Sequence, residues 1–325
     1  MKELHFSAGL LEPILIGEKE TTLRRYDENH SFKKGENTCG VFEEGVRMLL
    51  EIKEDTQTKM FANLTDREAQ ESGFRDAHHA LEGLQRYYES LTPEEMCAIV
   101  RFQLMQNFNG IPYERQKYST SCGAAALSMV YQSFGLTVDQ EDIWDSVRGT
   151  KNGVVLCKKR KMCRDALHRG LHALLVRIRE EYSRISLLYR MRSNTSRFIP
   201  LLPTEHGTHS VVYAGLQHSD IVFHDPDLAP SRLEHFDTFM GAWRRWGPKG
   251  RSGLLMGIAP HKEDSACTTC GTIIPASIVC SQKHCQKEIQ LQPTSIVGCI
   301  REECSNAVWD AIECPHCGRW GKRRS

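Results

Sequence analysis

The chain has 325 residues and a formal net charge of +1, because 42 lysines and arginines balance 41 aspartates and glutamates. This length allows two or three domains, and the balanced charge argues against a uniformly basic nucleic-acid-binding surface and against acidic disorder. No apolar run approaches the length that spans a bilayer, and the N-terminus lacks the apolar core of a signal peptide. We therefore expect a cytoplasmic protein that does not contact a membrane and whose thiols stay reduced.

A first domain is predicted over residues 1–108, and the turn-rich stretch Asn109-Gly110-Ile111-Pro112 follows it. A glycine that ends a helix and a threonine that caps one indicate its helices, and short apolar runs indicate its strands. In chain order these are a short helix at 12–17, strands at 21–24 and 46–52, helices at 64–69 and 76–88, and a strand at 98–104.

This segment resembles an ASCH domain, a small β-barrel related to the PUA fold. The resemblance rests on Leu4-His5-Phe6, residues 12–24, Phe32-Lys33-Lys34-Gly35, residues 64–69 and Val100-Arg101-Phe102. It implies binding of RNA or of a nucleotide. Some small members of the family remove an acyl group from a modified cytidine, which implies amide hydrolysis of a modified nucleoside as an alternative function.

The candidate ligand-binding residues of this domain follow from the resemblance and from local charge. Lys19 and Thr22 match the lysine and threonine of the family's hydrolases, and Glu71 is the glutamate nearest to the family's position, which is one residue later. Arg24 and Lys33 add positive charge near the expected mouth of the barrel. We therefore expect a phosphate-bearing ligand there.

A second domain is predicted over residues 109–262. Its apolar periodicity and turn residues indicate both helices and strands. The predicted elements are a helix from Cys122 to Gly135, a basic helical region from Lys158 to Arg184, strands around His209 and Asp225, and a last helix from Phe236 to Trp246.

Cys122 is the candidate nucleophile of the second domain. It stands at the predicted start of an apolar helix, where unpaired backbone amides favour a thiolate. Gln116 lies in the preceding loop, and its side-chain amide is expected to stabilise an oxyanion together with the Cys122 backbone N–H. A cysteine, a histidine, an aspartate and an upstream amide donor are the parts of a thiol hydrolase.

A predicted hairpin supplies the histidine and the aspartate. If its turn is centred on Gln217, antiparallel pairing sets His209 opposite Asp225, so that both side chains point to one face. Asp225 would then orient the imidazole of His209. His224 would point to the other face, and His206 is the alternative histidine if the strand begins earlier.

Four parts of the second domain resemble the papain-like cysteine peptidases that process double-glycine leader peptides. These parts are residues 116–129, the His209 strand, the Asp225-Pro226 step and residues 239–243. The likeness extends over residues from about 112 to 258. The resemblance implies a papain-like fold and a peptide or protein substrate.

The same resemblance implies a role for each candidate residue. In that family the cysteine is the nucleophile, the histidine is general base and acid, the aspartate orients the histidine, and a glutamine shapes the oxyanion hole. These roles carry over to Cys122, His209, Asp225 and Gln116 respectively.

Residues 263–325 are predicted to form a third, metal-binding domain. Eight of the thirteen cysteines lie there, in closely spaced pairs typical of zinc knuckles. Eight thiolates suit two tetrahedral zinc ions. The candidate ligands are Cys267, Cys270, Cys280, Cys285, Cys299, Cys304, Cys314 and Cys317.

The grouping of these ligands has two candidate forms. Sequential ribbons would use the first four and the last four cysteines, and we favour them because each half is compact. The spacing is also palindromic, so a nested arrangement could pair Cys267 and Cys270 with Cys314 and Cys317.

The sequence thus predicts a multidomain α+β chain with a PUA-like β-barrel, a papain-like α+β hydrolase domain and C-terminal zinc ribbons. The favoured function is an intracellular papain-like cysteine hydrolase, a peptidase, whose ASCH and zinc-ribbon modules choose the target. One alternative is a non-catalytic adaptor associated with nucleic acid, whose papain-like domain only binds peptide. The other is the ASCH-site amide hydrolase of a modified nucleoside.

Overall fold

The computed structural model describes residues 1–43, 45–179, 184–192, 195–205, 207–244 and 253–322. The chain divides into two compact units. The first unit comprises residues 1–106 with 231–233, and the second comprises residues 107–230 with 234–325. The second unit thus contains both the Cys122 segment and the cysteine-rich tail. The boundaries of the three domains expected from the sequence stay a prediction.

The first unit combines short strands with three short α-helices in its described residues. Its elements are β1 (Glu3–Phe6), α1 (Leu11–Leu15), β2 (Thr21–Arg25), β3 (Asn37–Phe42), β4 (Arg47–Ile52), β5 (Gln57–Met60), α2 (Asp66–Glu71), α3 (Ala77–Gln85) and β6 (Met96–Leu104).

The strands of the first unit form an open sheet. β1 pairs in parallel with β3, β3 pairs antiparallel with β4, and β4 pairs with the end of β6. β2 and β5 each pair antiparallel with β6. In the described residues β1 and β2 do not pair with each other, so the path does not close. The closed PUA-like barrel expected from the sequence is therefore not observed.

The predicted threonine cap is present at the start of α2. The Thr65 hydroxyl accepts the backbone N–H of Glu68, and the Glu68 carboxylate accepts the backbone N–H of Thr65, which is a capping box. α2 and α3 pack their buried Ala69, Ala80 and Leu84 into one core cluster with Leu23 of β2. This cluster fixes α2 beside the candidate ligand-binding residues.

The second unit contains longer helices and most of the strands. Its described elements are β7 (Asn107–Phe108), β8 (Ile111–Pro112), α4 (Cys122–Ser133), α5 (Gln140–Val147), β9 (Arg148–Lys151), β10 (Val154–Cys157), α6 (Lys159–His168), β11 (His172–Ile178), α7 (Arg184–Met191), β12 (Arg197–Pro203), β13 (Thr208–Ser210), β14 (Val212–Gln217), β15 (Asp220–Asp225), the two ends of β16 (Ala229–His235), α8 (Phe236–Arg244), β17 (Leu254–Ala259), β18 (Ser277–Val279), β19 (Glu288–Gln290), β20 (Trp309–Glu313) and β21 (Trp320–Lys322). Residues 231–233 of β16 belong to the first unit.

An antiparallel sheet forms the centre of the second unit. Its strand order is β15-β14-β12-β17-β11-β20-β21, and β13 pairs with β12 beside this path. α4 packs against β13 and β14. His209 lies on β13 and Asp225 ends β15, so both residues belong to the sheet that packs against the Cys122 helix.

The basic region was predicted as one helical stretch, and that prediction is wrong in its second half. α6 ends at His168, and the chain then forms the buried strand β11. Gly170, with a φ of +81°, marks the turn between them. The short continuous apolar run from Ala173 to Val176, which is buried throughout, is the strand signal. The last predicted helix is present as α8, and its expected end at Trp246 lies outside the described residues.

The cysteine-rich tail packs into the core of the second unit. β20 pairs antiparallel with β11, with Val176 opposite Ile312. Leu291, Ile296 and Ile312 of the tail share one buried cluster with Phe198 and other sheet residues. Burial of this apolar area stabilises the tail and the sheet together. Within the described residues, no helix has the length and apolar character needed to cross a membrane.

Candidate active site and metal clusters

Cys122 is the first residue of α4. The nine residues that follow it, from Gly123 to Tyr131, are all buried, so α4 is a central helix. Its N-terminal amides have no partners within the helix, and their partial positive charge favours a thiolate at Cys122. The sequence predicted this position for the thiol.

Gly123 allows a second thiol to approach the start of α4. A Cβ atom at position 123 would lie 2.8 Å from the Cβ of Cys157 and 2.8 Å from the Sδ of Met162. Any larger residue would therefore push β10 or α6 away from α4. Burial raises the pKa of Cys157 to about 12, so this neighbour stays a neutral thiol.

His209 and Asp225 are in direct contact. The Nε2 of His209 lies 2.7 Å from the Oδ1 of Asp225. This leaves Nδ1 of the ring for the hydrogen bond between His209 and Cys122. Asp225 is buried, and its Oδ1 also accepts the backbone N–H of Asp227 at 3.1 Å.

The register of the hairpin differs from the predicted one. Gln217 pairs with Asp220, and an irregularity near Ala214 shifts the pairing. His209 lies on the separate strand β13, opposite Leu202 of β12. The imidazole thus reaches Asp225 from β13 and not from the strand that pairs with β15. His224 is buried and its Nε2 bonds the carbonyl of Ile111, whereas His206 lies outside the described residues.

The pKa values of Cys122 and His209 shift in opposite directions. Burial would raise the pKa of the Cys122 thiol, but the hydrogen bond and charge of His209 outweigh burial and lower it. Burial would lower the pKa of His209, but hydrogen bonds to Asp225 and Cys122 raise it to about 10. Both shifts therefore favour the charged forms, a thiolate beside an imidazolium.

Ser210 is a neighbour of Cys122 that the sequence analysis did not name as a candidate. Hydrogen bonding from its side chain and its backbone contributes to the lowered pKa of the Cys122 thiol, after the larger effects of burial and of His209. Ser210 is buried beside His209 at the end of β13. Its position next to the candidate histidine was the available signal.

Gln116 lies close to the chain that follows Asp225. Its backbone N–H donates to the carbonyl of Pro226 at 2.8 Å, and its Nε2 donates to the Oδ1 of Asp227 at 2.6 Å. One hydrogen on Nε2 remains for another acceptor. A thiolate, a protonated base and an amide donor can together attack a carbonyl carbon and stabilise the oxyanion that forms.

Residues 110–245 match the family model of the peptidase C39 family. This segment, which is less than half of the chain, is therefore similar to the peptidase C39 family. No curated protein sequence matches the chain at the significance required.

Several solved peptidase domains are similar to this chain. The peptidase domain of Streptococcus ComA is 17% identical, with 46% of this chain and 97% of that chain covered and a TM-score of 0.37. A double glycine motif protease from an AMS/PCAT transporter, solved with its leader peptide, is 18% identical, with 48% and 96% covered and a TM-score of 0.35. The peptidase domain of Streptococcus mutans ComA is 16% identical, with 46% and 98% covered and a TM-score of 0.32.

In the first unit the structure brings together three of the five predicted ligand-binding residues. Lys19 is buried, and its Nζ donates to the carbonyls of Thr21 at 3.0 Å and Ser72 at 2.7 Å. Arg24 donates to the Oγ1 of Thr22 at 2.6 Å. Burial, with the nearby charge of Arg24, lowers the pKa of Lys19 to about 8.

The other two predicted residues of the first unit make different contacts. Glu71 forms ion pairs with Arg67 and Arg101, each at 3.1 Å. Lys33 is exposed and pairs with Asp55 at 3.0 Å. Neither hydrogen-bonds to Lys19 in the part of the chain that the structure describes.

The eight tail cysteines form two clusters of four. In each cluster the four sulfurs lie within 4.8 Å of one another, so each could hold a metal ion. The first cluster is Cys267, Cys270, Cys299 and Cys304, and the second is Cys280, Cys285, Cys314 and Cys317.

The sulfur spacing fits a tetrahedral ion. The separations are 3.7 Å between Cys270 and Cys299 and 3.8 Å between Cys285 and Cys314. Four thiolates about 2.3 Å from one ion in tetrahedral geometry would stand about 3.8 Å apart, whereas a disulfide needs about 2.05 Å.

The structure shows neither the favoured sequential grouping nor the nested one. Each cluster takes one cysteine pair from the first half of the tail and one from the second half. Cys280 and Cys285 lie between the paired strands β18 and β19, and Cys314 and Cys317 lie between β20 and β21. The ends of the two hairpins thus face each other, and the cysteine pairs of the two halves of the tail alternate between the two clusters.

The ion pair predicts a particular pH dependence of Cys122 alkylation. The rate should rise with pH through the thiol pKa, with a midpoint below the ordinary value of 9.0. In His209→Ala the lowering bond and charge are lost while burial remains, so the midpoint should move upward. Iodoacetamide labelling between about pH 5 and pH 10, read by mass spectrometry of the Cys122 peptide, measures both midpoints.

The exposed His235 supplies a control for this labelling. His235→Ala should leave the midpoint at its wild-type value, because no charge near the thiol changes. An identical midpoint in wild type and His209→Ala would show that the imidazole does not hold the thiolate.

Proposed function

We propose that the chain is a cysteine peptidase of the cytoplasm that cleaves a peptide or protein substrate with Cys122, His209, Asp225 and Gln116. The observation that carries this proposal is the 2.7 Å contact of His209 with the buried Asp225, because His209 in turn lowers the pKa of the Cys122 thiol. The peptidase C39 match over residues 110–245 supports the same reaction class.

The proposed reaction has two halves. The Cys122 thiolate attacks the scissile carbonyl, and the His209 imidazolium then donates its proton to the leaving amine as the C–N bond breaks. This leaves an acyl group on Cys122 as a thioester. Neutral His209 next takes a proton from water as the oxygen attacks the thioester carbonyl. The C–S bond then breaks, which releases the acid product and restores the Cys122 thiolate beside the protonated His209.

Asp225 and Gln116 have distinct roles in this scheme. Asp225 accepts from Nε2 of His209, so that Nδ1 faces the sulfur and the positive ring is stabilised. Gln116, with the Cys122 backbone N–H, donates to the oxyanion of each tetrahedral intermediate. Gln116→Ala should therefore slow both halves of the reaction.

The central test of this proposal is Cys122→Ala. Hydrolysis of peptides that carry a Gly-Gly cleavage site and of a mixed peptide library should be abolished, because no other described thiol contacts His209. Cys157→Ala is the matched control, and it should keep its activity because burial holds the pKa of Cys157 near 12. Cleavage products measured by mass spectrometry decide the result. Full turnover by Cys122→Ala would contradict the thiol mechanism, whereas absence of turnover in the wild type as well would favour the non-catalytic adaptor.

The two sulfur clusters are proposed to hold zinc. Four thiolates per site, with separations of 3.7 to 3.8 Å, match the ligand type and tetrahedral geometry that zinc prefers. Zinc would be structural there, because thiolates supply all four ligands of each site. Each ion would join the two halves of the tail and so fix the hairpin that extends the sheet from β11.

A pair of double variants tests the interleaved grouping. Cys280→Ala with Cys314→Ala should remove one ion and keep the other, because both cysteines belong to one cluster. Sequential or nested sites would lose both ions in this variant, because it would damage each site. Elemental analysis should give about two zinc ions per wild-type chain.

Cys280→Ala with Cys299→Ala is the matched control. The interleaved grouping predicts that both ions are weakened, because one ligand leaves each cluster. A nested arrangement would instead keep one ion. Retention of a single ion here, with loss of both in the first variant, would contradict the observed grouping.

A second function is proposed for the first unit, namely binding of RNA or of a nucleotide. Lys19 and Arg24 place two positive donors beside the buried Thr22. No described carboxylate pairs with Lys19, and the buried Oγ of Ser72 has no hydrogen-bond partner in the structure. A phosphate group would supply acceptors for these donors. Hydrolysis of a modified nucleoside has weaker support, because Glu71 is held by two arginines.

Charge substitutions test ligand binding in the first unit. Lys19→Ala with Arg24→Ala should weaken binding of RNA oligomers or nucleotides at least about tenfold, and binding should weaken with added salt. Lys33→Ala is the control and should bind normally, because its ammonium pairs with Asp55 elsewhere. Fluorescence titration measures these affinities. If Lys33→Ala loses as much affinity as the Lys19→Ala/Arg24→Ala variant, or if added salt does not weaken binding, the proposed ligand site at Lys19 and Arg24 is contradicted.

A further inference from the structure

Three successive residues at the end of β15 all contact the candidate active site. The Asp225 carboxylate bonds His209, the Pro226 carbonyl accepts the backbone N–H of Gln116, and the Asp227 carboxylate accepts the Nε2 of Gln116. The backbone N–H of Asp227 also donates to Asp225. Asp227 therefore hydrogen-bonds both to Asp225, which contacts His209, and to Gln116, the proposed oxyanion donor.

The side chain of Asp227 determines which end of the Gln116 amide it faces. A carboxylate only accepts hydrogen bonds, so it attracts Nε2 and repels Oε1. A flipped amide would place two oxygens at the present separation of 2.6 Å. Elsewhere in the described structure nothing bonds this side chain, because its Oε1 is buried without a hydrogen-bond partner. The amide orientation thus depends on Asp227.

The backbone around Gln116 is held by a different residue. The Gln140 side chain is buried, and its Oε1 accepts the backbone N–H of Lys117 at 2.9 Å. Its Nε2 donates to the carbonyl of Arg115 at 3.0 Å. Loss of the Asp227 carboxylate would therefore free the Gln116 amide while its backbone stays in place.

We propose that Asp227 is a positioning residue that orients the Gln116 amide toward the oxyanion of the reaction. The bond to Asp227 uses one hydrogen of Nε2 and fixes the amide plane, and the second hydrogen is then directed by that plane. This inference rests on the proposed peptidase function. Asp227 itself is exposed and acts only through Gln116.

A double-mutant cycle tests this role in the full chain. Asp227→Ala should lower kcat roughly tenfold, with KM changed less than about twofold, because the oxyanion forms only after substrate binds. Asp227→Asn should restore most of the rate, because its Oδ1 still accepts. In a Gln116→Ala background Asp227→Ala should have no further effect. A normal kcat, or losses that multiply independently, would overturn the proposal.

Glu141 provides a matched control for this cycle. Its carboxylate bonds Lys117 and Tyr118 on the same loop but does not contact Gln116. Glu141→Gln should leave kcat within about twofold of wild type, because surface ion pairs contribute little. A loss as large as that of Asp227→Ala would indicate a general effect on the loop.

Nuclear magnetic resonance tests the contact without turnover. The side-chain amide signals of Gln116, identified by their absence in Gln116→Ala, should shift in Asp227→Ala and stay near their wild-type positions in Asp227→Asn. Unchanged signals in Asp227→Ala would overturn the inference. If Cys122→Ala retains full turnover, the peptidase proposal fails, and these signals still show whether Asp227 orients Gln116.

Discussion

The hydrogen bond between His209 and the buried Asp225 is the interaction on which the candidate site depends. Burial alone would make both members of the Cys122–His209 pair neutral, because it raises the pKa of a thiol and lowers that of an imidazole. The structure gives the opposite result for each group. The Asp225 charge stabilises the imidazolium, and the imidazolium then stabilises the thiolate.

Two kinds of structure support this interaction. The central sheet places β13 and the end of β15 beside the start of α4, so that residues distant in sequence meet. Local bonds then hold the loop of Gln116, at its backbone by Gln140 and Pro226 and at its side chain by Asp227. The tail lies away from these contacts, but β20 extends the same sheet from β11. Metal in the tail would therefore stabilise the framework of the site.

Local chemistry made several features predictable from the sequence. A cysteine before an apolar helical repeat predicts a thiol at a helix start, and the structure begins α4 at Cys122. Thr65 and Glu68 form the expected cap because both partners lie within one turn. The cysteine spacing predicts knuckles for the same reason, since each pair spans only a short turn.

Features that depend on long-range pairing were not predictable in this way. The hairpin register changes at Ala214, and one such irregularity alters which residues lie opposite each other. The interleaving of the cysteine pairs depends on how two hairpins dock, which their spacing does not encode. A barrel closes only if its terminal strands pair with each other. The periodicity of a sequence predicts where strands lie, but it does not predict which strands pair. The ion pair of Lys33 with Asp55 also joins residues that are distant in sequence, and the expected role of Lys33 in ligand binding stays a prediction.

Detection of an acyl group on Cys122 would test the central claim most directly. The intact protein would be mixed with a peptide ester, quenched with acid after short times, and digested for mass spectrometry. The account predicts a thioester on the Cys122 peptide that forms rapidly and disappears by hydrolysis, and that both forms and disappears more slowly in Gln116→Ala. Turnover of the ester without any adduct on Cys122, or with an adduct on another residue that turns over at the full rate, would contradict it.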